Sequence, residues 1–125
     1  MKRIALGLAA LLLLLLGMTQ GAAAQDKTFT GDIADEHLNC EQTPMKAPEG
    51  VKDKIVCVLY YARYAQPASK YVLYDPATTA TYQLDDQESA QPFAGEKVRV
   101  TGTLNAATKT IKVTKIASAE TNGKS

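Results

Sequence analysis

The residues best able to do chemistry sit close together. They form the run Asp35-Glu36-His37-Leu38-Asn39-Cys40, and a second cysteine follows at Cys57. His37, Cys40 and Cys57 are three soft ligands suited to zinc or copper, with Asp35 or Glu36 as a fourth. The spacing His-x-x-Cys brings two of them onto one turn of chain. The cysteines have a competing use. They are the only two in the chain, and in an oxidising compartment an even pair reads as one disulfide. A bridge closing a loop of this size stabilises a small domain by about 3 kcal/mol in the chain-entropy picture. It also consumes both thiols and leaves His37 as an exposed loop histidine. We take the Cys40–Cys57 disulfide as the expectation and the metal site as its alternative.

Other constellations are less specific. Asp85, Asp86 and Glu88 form an acidic cluster, but the D-x-[DN]-x-[DN]-G pattern of a calcium loop is missing, so a solvated turn is expected. The tyrosines gather between residues 60 and 82, and Tyr61, Tyr64, Tyr71 and Tyr74 are the candidates for stacking a ligand. Lys97, Arg99, Lys109, Lys112 and Lys115 concentrate positive charge near the C-terminus. They suit a phosphate, an acidic polymer or an acidic partner, although lysines on an edge pair also discourage aggregation. The chain has a single histidine and lacks both G-x-S-x-G and a phosphate-cradling glycine loop. A nucleophile with its base and orienting group therefore cannot be assembled from known patterns, and no enzymatic activity and no cofactor are expected.

The elements that must position these residues begin after an export signal. Lys2 and Arg3 precede an apolar run from Ile4 to Met18, and Ala22-Ala23-Ala24 gives a small-residue cleavage pattern. The run is short for a membrane span, which needs about 20 residues. Residues 1–24 are thus expected to be a cleaved signal peptide, with no stable membrane insertion afterwards and a periplasmic or secreted product. The new N-terminus would be Gln25, not a cysteine for lipid attachment. Cleavage removes two of the 14 basic residues and none of the 13 acidic ones, leaving 12 against 13 and a net charge of −1. Nucleic acid is not an expected partner for such a balance.

The rest reads as one domain over residues 25–117, with a disordered tail at 118–125. Thr28 to Asp35 alternates as a strand, and Gly31 marks a bulge or bend within it. Residues 36–50 are a loop punctuated by Pro44, Pro48 and Gly50, with Cys40 as its pin. Residues 51–65 carry apolar residues at helical spacing, yet Ile55 to Tyr61 also suits a strand. Length favours the helix. Lys70 to Asp75 and Ala80 to Leu84 form a hairpin around Pro76. Asp85 to Ala94 is a polar connector with room for one helical turn. Lys97 to Leu104 is the cleanest alternation, and Thr110 to Ile116 pairs back on it. Ile116 breaks the parity set by Ile111 and Val113, so a bulge or strand end is expected there. The sum is a mainly β fold: a small five-stranded OB-like barrel with one helix after the first strand.

The segments FTGDIAD, YVLYD, TYQLDDQ, FAGEKVRVTGTL and TKTIKVTKI, in that order, resemble a family of small exported bacterial domains of unknown function. The resemblance spans most of residues 28–117 and implies an OB-like fold. It implies no activity. Relatives often carry extra cysteines or a Cys-x-x-x-Cys pair where this chain has only Cys57, a departure that counts against a metal or redox role.

The expected function is an exported, non-enzymatic module that binds a protein or small ligand in the cell envelope. Its face would be the groove between residues 36–50 and the tyrosine-rich 57–74 segment. The alternatives are a metal-binding or thiol-redox protein using His37, Cys40 and Cys57, and a stress-related envelope protein without a tight ligand.

Overall fold

A computed structural model describes residues 25–119. The expected signal peptide and residues 120–125 of the expected tail lie outside the described residues. Five strands make up most of the chain: β1 (Lys27–Asp35), β2 (Tyr71–Asp75), β3 (Ala80–Leu84), β4 (Lys97–Asn105) and β5 (Thr110–Ser118). They form one sheet that closes in a ring in the order β1-β2-β3-β5-β4. A mainly β fold was the expectation.

β1 makes the closure possible because it serves two neighbours. Lys27 to Asp32 pair with β4, and Asp32 to Asp35 pair with β2, so Asp32 faces both Lys97 and Tyr74. The strand must curl sharply at this handover. Gly31 sits there, and a Cβ at that position would collide with the Tyr74 carbonyl. A side chain would hold the two strands apart, which is the close backbone approach that glycine permits. The ring is completed by a short parallel contact, Gln83 with Thr110 and Leu84 with Ile111.

The two hairpins use the same turn chemistry. Asp75 Oδ1 accepts the Ala77 N–H at 2.9 Å, and Asn105 Oδ1 accepts the Ala107 N–H at 3.0 Å. Each turn ends four residues on with a positive φ, at Thr79 and Lys109. Short polar side chains that bond their own backbone two residues ahead favour such turns. In the second hairpin Thr101 pairs with Lys115 but Gly102 pairs with Val113. Thr114 is therefore the extra residue of a bulge, two positions before the parity break at Ile116. The bulge turns Val113 and Ile116 towards the same side, which reconciles them.

The segment 51–65 contains a helix, α1 (Lys54–Arg63). The Asp53 carboxylate caps it, accepting the N–H groups of Ile55 and Val56 at 2.7 and 3.4 Å. Such a cap satisfies donors that have no partner inside the helix. The connector before β4 holds a single turn, α2 (Gln87–Ala90), followed by a short 3-10 turn at Gln91–Phe93. Gln87 does a strand's work from this turn. Its amide oxygen accepts the Tyr71 N–H, and its nitrogen donates to the Tyr71 and Leu84 carbonyls.

The core lies inside the ring. Ile33, Leu73, Val98, Val100 and Ile111 are fully buried there, and Cys57 and Val58 from α1 join the same core. Each such aliphatic side chain contributes about 1.5–3 kcal/mol by leaving water. Among the described residues, no helix is long and apolar enough to cross a membrane.

Candidate functional site

The chemistry-bearing run after β1 is organised by its first carboxylate. Asp35 is completely buried. Its Oδ2 accepts from the Asn39 N–H at 2.9 Å and from the Asn39 side-chain amide at 3.1 Å, and its Oδ1 accepts the Cys40 N–H at 3.0 Å. A buried carboxylate is tolerable when donors surround it. The neighbouring Glu36 ties the same turn to the start of β2: its carboxylate accepts the Lys70 N–H, and its own N–H donates to Ser69 Oγ, both at 2.9 Å.

This scaffold delivers Cys40 to the inner face of α1, where it forms a disulfide with Cys57 across a Cα separation of 5.9 Å. The bond occupies both sulfurs. His37 stays exposed at the surface. Among the described residues, no group of three or more histidine, cysteine or acidic side chains is placed to hold a metal ion.

Next to the disulfide is a charged triad that the sequence pattern does not display. Lys54 reaches back from the first turn of α1 to place its ammonium 3.1 Å from Asp32 Oδ2 and 2.7 Å from Glu41 Oε2. The Glu41 contact is the shorter of the two ion pairs. Burial pushes the Glu41 carboxyl above its ordinary range; Lys54 opposes this, and the nearby Asp32 charge reinforces it. Burial works against the Lys54 ammonium, but Glu41 and Asp32 together outweigh it and hold its pKa above the usual lysine value.

The four candidate tyrosines do not share a surface. Tyr61 packs against the core, and its hydroxyl donates to the Lys46 carbonyl at 2.6 Å, pinning the 36–50 loop to α1. Burial, then the charge of Asp35, raises its phenol pKa. Tyr71 is only 5 % exposed and belongs to the core. Its buried hydroxyl finds no hydrogen-bond partner among the described residues. Burial raises its pKa and Arg63 opposes the shift. Strand alternation puts Tyr74 on the opposite face of β2 from Tyr71. Tyr64, just past the end of α1, is 71 % exposed.

Tyr64 is part of a feature that the residue types alone did not mark out. The exposed large apolar residues of the described chain are Ile55, Val56 and Tyr64, all on α1 or its cap. Cys57 and Val58 face inwards, so the helix is apolar on both sides. Two grooves flank its outer face and share Leu59 and Arg63. One, of about 320 Å³, runs between Pro48 and Val51 of the loop and Val56, Tyr60 and Tyr64 of the helix. The other, of about 490 Å³, lies between Ile55 and the Glu88–Ala94 connector. The first is the more apolar, and Arg63 is the one charged residue that lines it.

Residues 66–119 match the family described as "Protein of unknown function (DUF5818)". That stretch is similar to an uncharacterised domain family. It takes in β2 to β5 but stops short of β1, the disulfide and α1, so the grooves lie largely on the part of the chain that the match leaves out. No curated protein and no solved structure matches the chain.

Proposed function

We propose that this protein is an exported, non-enzymatic OB-like module that binds a protein or small apolar ligand of the cell envelope on the outer face of α1. One observation carries the reading: every exposed large apolar side chain of the described residues, Ile55, Val56 and Tyr64, lies along that one helix. Scattered apolar residues need no explanation, whereas a contiguous patch rimmed by polar groups marks an interaction surface. The groove between the helix and the Pro48–Val51 loop is concave and apolar, with a few polar groups to orient what enters, as small-molecule and peptide sites are. The disulfide and the Tyr61 bond to Lys46 fix the loop wall against the helix, so the groove is formed in advance. The leader pattern of residues 1–24 and the disulfide both favour an oxidising compartment.

Titration with the apolar dye anilinonaphthalene sulfonate tests the site. The wild type should give a saturable fluorescence rise that Val56→Asp abolishes while the melting curve is kept. No saturable signal, or a signal indifferent to Val56→Asp, sinks the proposal. The export half is tested separately by the intact mass of protein recovered from the exported fraction, which should begin at Gln25.

A further inference from the structure

We propose that the outer face of β1, β4 and β5 docks an extended acidic segment of a partner protein. Alternation in β4 sends Val98 and Val100 into the core, so Lys97, Arg99, Thr101 and Thr103 face out. Register then sets Lys115 directly across from Thr101 and Lys112 across from Thr103. Arg99 lies one outward position along the strand from Thr101, so it is a diagonal neighbour of Lys115, about 7–8 Å away. Among the described residues the ion pairs are those of Lys54. None of Lys97, Arg99, Lys112 and Lys115 forms an ion pair among the described residues; Asp32, which stands opposite Lys97 across the β1–β4 ladder, is engaged by Lys54 instead.

The same face already shows how it takes a carboxylate. Asp26, in the lead just before β1, is held by two hydroxyls: Thr103 Oγ1 donates to its Oδ1 at 2.8 Å, and Thr114 Oγ1 donates to its Oδ2 at 2.9 Å. Thr114 is the bulge residue of β5, so the extra residue is what aims that hydroxyl. On the other side of the strand, Asp85 Oδ1 accepts the Val113 N–H at 2.8 Å. One side-chain carboxylate of the chain itself, Asp26, thus rests on this face, while Asp85 bonds the backbone of β5. Acidic side chains on alternate residues of an extended peptide recur about every 6.6–7 Å, close to the spacing of the cations. Charge complementarity of this kind steers and orients a partner.

The probe is fluorescent poly-L-glutamate, followed by anisotropy, with poly-L-glutamine as the neutral control. The wild type should bind the glutamate polymer alone, with an affinity that falls as salt is added. Lys112→Glu with Lys115→Glu should weaken binding about tenfold or more. Should that double variant fail to fold, Lys115→Gln alone should weaken it measurably. Asp26→Ala, which removes a negative charge from the face and releases the two hydroxyls, should tighten it. Val56→Asp should leave it unchanged, which separates this face from the helix groove. Absence of binding, or binding untouched by the charge changes, overturns the proposal. Equal affinity for inorganic polyphosphate also overturns it, because charge alone would then suffice.

Discussion

Asp35 and Cys40 are joined by a hydrogen bond from the cysteine's backbone N–H to a carboxylate that no water reaches. The half of the disulfide that lies in a loop is therefore positioned by the last residue of β1 before the covalent bond forms. Replacing Asp35 by Ala would strand two backbone donors and one side-chain donor in and around the core. Hydrogen bonds to charged groups are each worth about 1.5–3 kcal/mol. We expect Asp35→Ala to destabilise the oxidised protein by about 3 kcal/mol or more, measured by urea unfolding, with Asp35→Asn retaining part of the loss. A change below about 0.5 kcal/mol would show that the turn holds itself.

The disulfide joins residues 17 apart. Closing a loop of that size should contribute about 3 kcal/mol. Cys40→Ala with Cys57→Ala should therefore lower the urea midpoint, and the slope should rise somewhat because the uncrosslinked unfolded chain exposes more surface. An unchanged midpoint would mean that the hydrogen bonds of Asp35 and Glu36 alone fix the loop.

Glu41 should give stability a particular pH dependence. Its carboxyl titrates higher in the folded protein than its ordinary 4.5. A raised pKa means that the folded state holds the proton more tightly, so stability falls as pH rises through the window between the two values. Glu41→Gln should remove this fall, so the stability difference between variant and wild type should widen from pH 4 to pH 7. Lys54 is also raised, above 10.5. Its contribution is complete below that value and is lost as pH climbs through the folded pKa. Parallel pH–stability curves for Glu41→Gln and wild type would refute the assignment.

Tyr71→Phe should stabilise the protein or leave it unchanged, an unusual outcome for a core substitution. The hydroxyl is buried without a hydrogen-bond partner among the described residues, and an unsatisfied buried polar group costs about 1–3 kcal/mol. A thermal melt decides it. A drop of several degrees would reveal a partner for the hydroxyl, such as an ordered water.

The β-rich half was legible because its patterns have single causes. Ala80–Leu84 is a strand with the bounds expected, and Lys97 to Leu104 extends by one residue. Residues 51–65 were ambiguous for a reason now visible. Cys57 and Val58 are apolar for the core, while Ile55, Val56 and Tyr64 are apolar on the outside, and two apolar faces blur any period. The site was harder to see. The Asp32–Lys54–Glu41 triad joins β1, α1 and a short 3-10 turn at Asn39–Glu41, and no local spacing announces it. Asp35 looked like a spare metal ligand, although an acid at a strand's end, four residues before Asn39, is also how a turn is tethered. Tyr71 and Tyr74 looked alike as tyrosines of one strand, but residues three apart on a strand face opposite ways.

The pairing of Lys27 with Gly102 makes the first strand wait for the fourth. A chain emerging from its N-terminus has β1 in hand early, yet half of that strand has nothing to bond until some seventy residues later, and contacts so distant in sequence form slowly. The hairpins can zip as they appear, but the sheet has no way to shut before nearly all of the polypeptide is present. Until then the hairpins stand alone, with their edges unpaired.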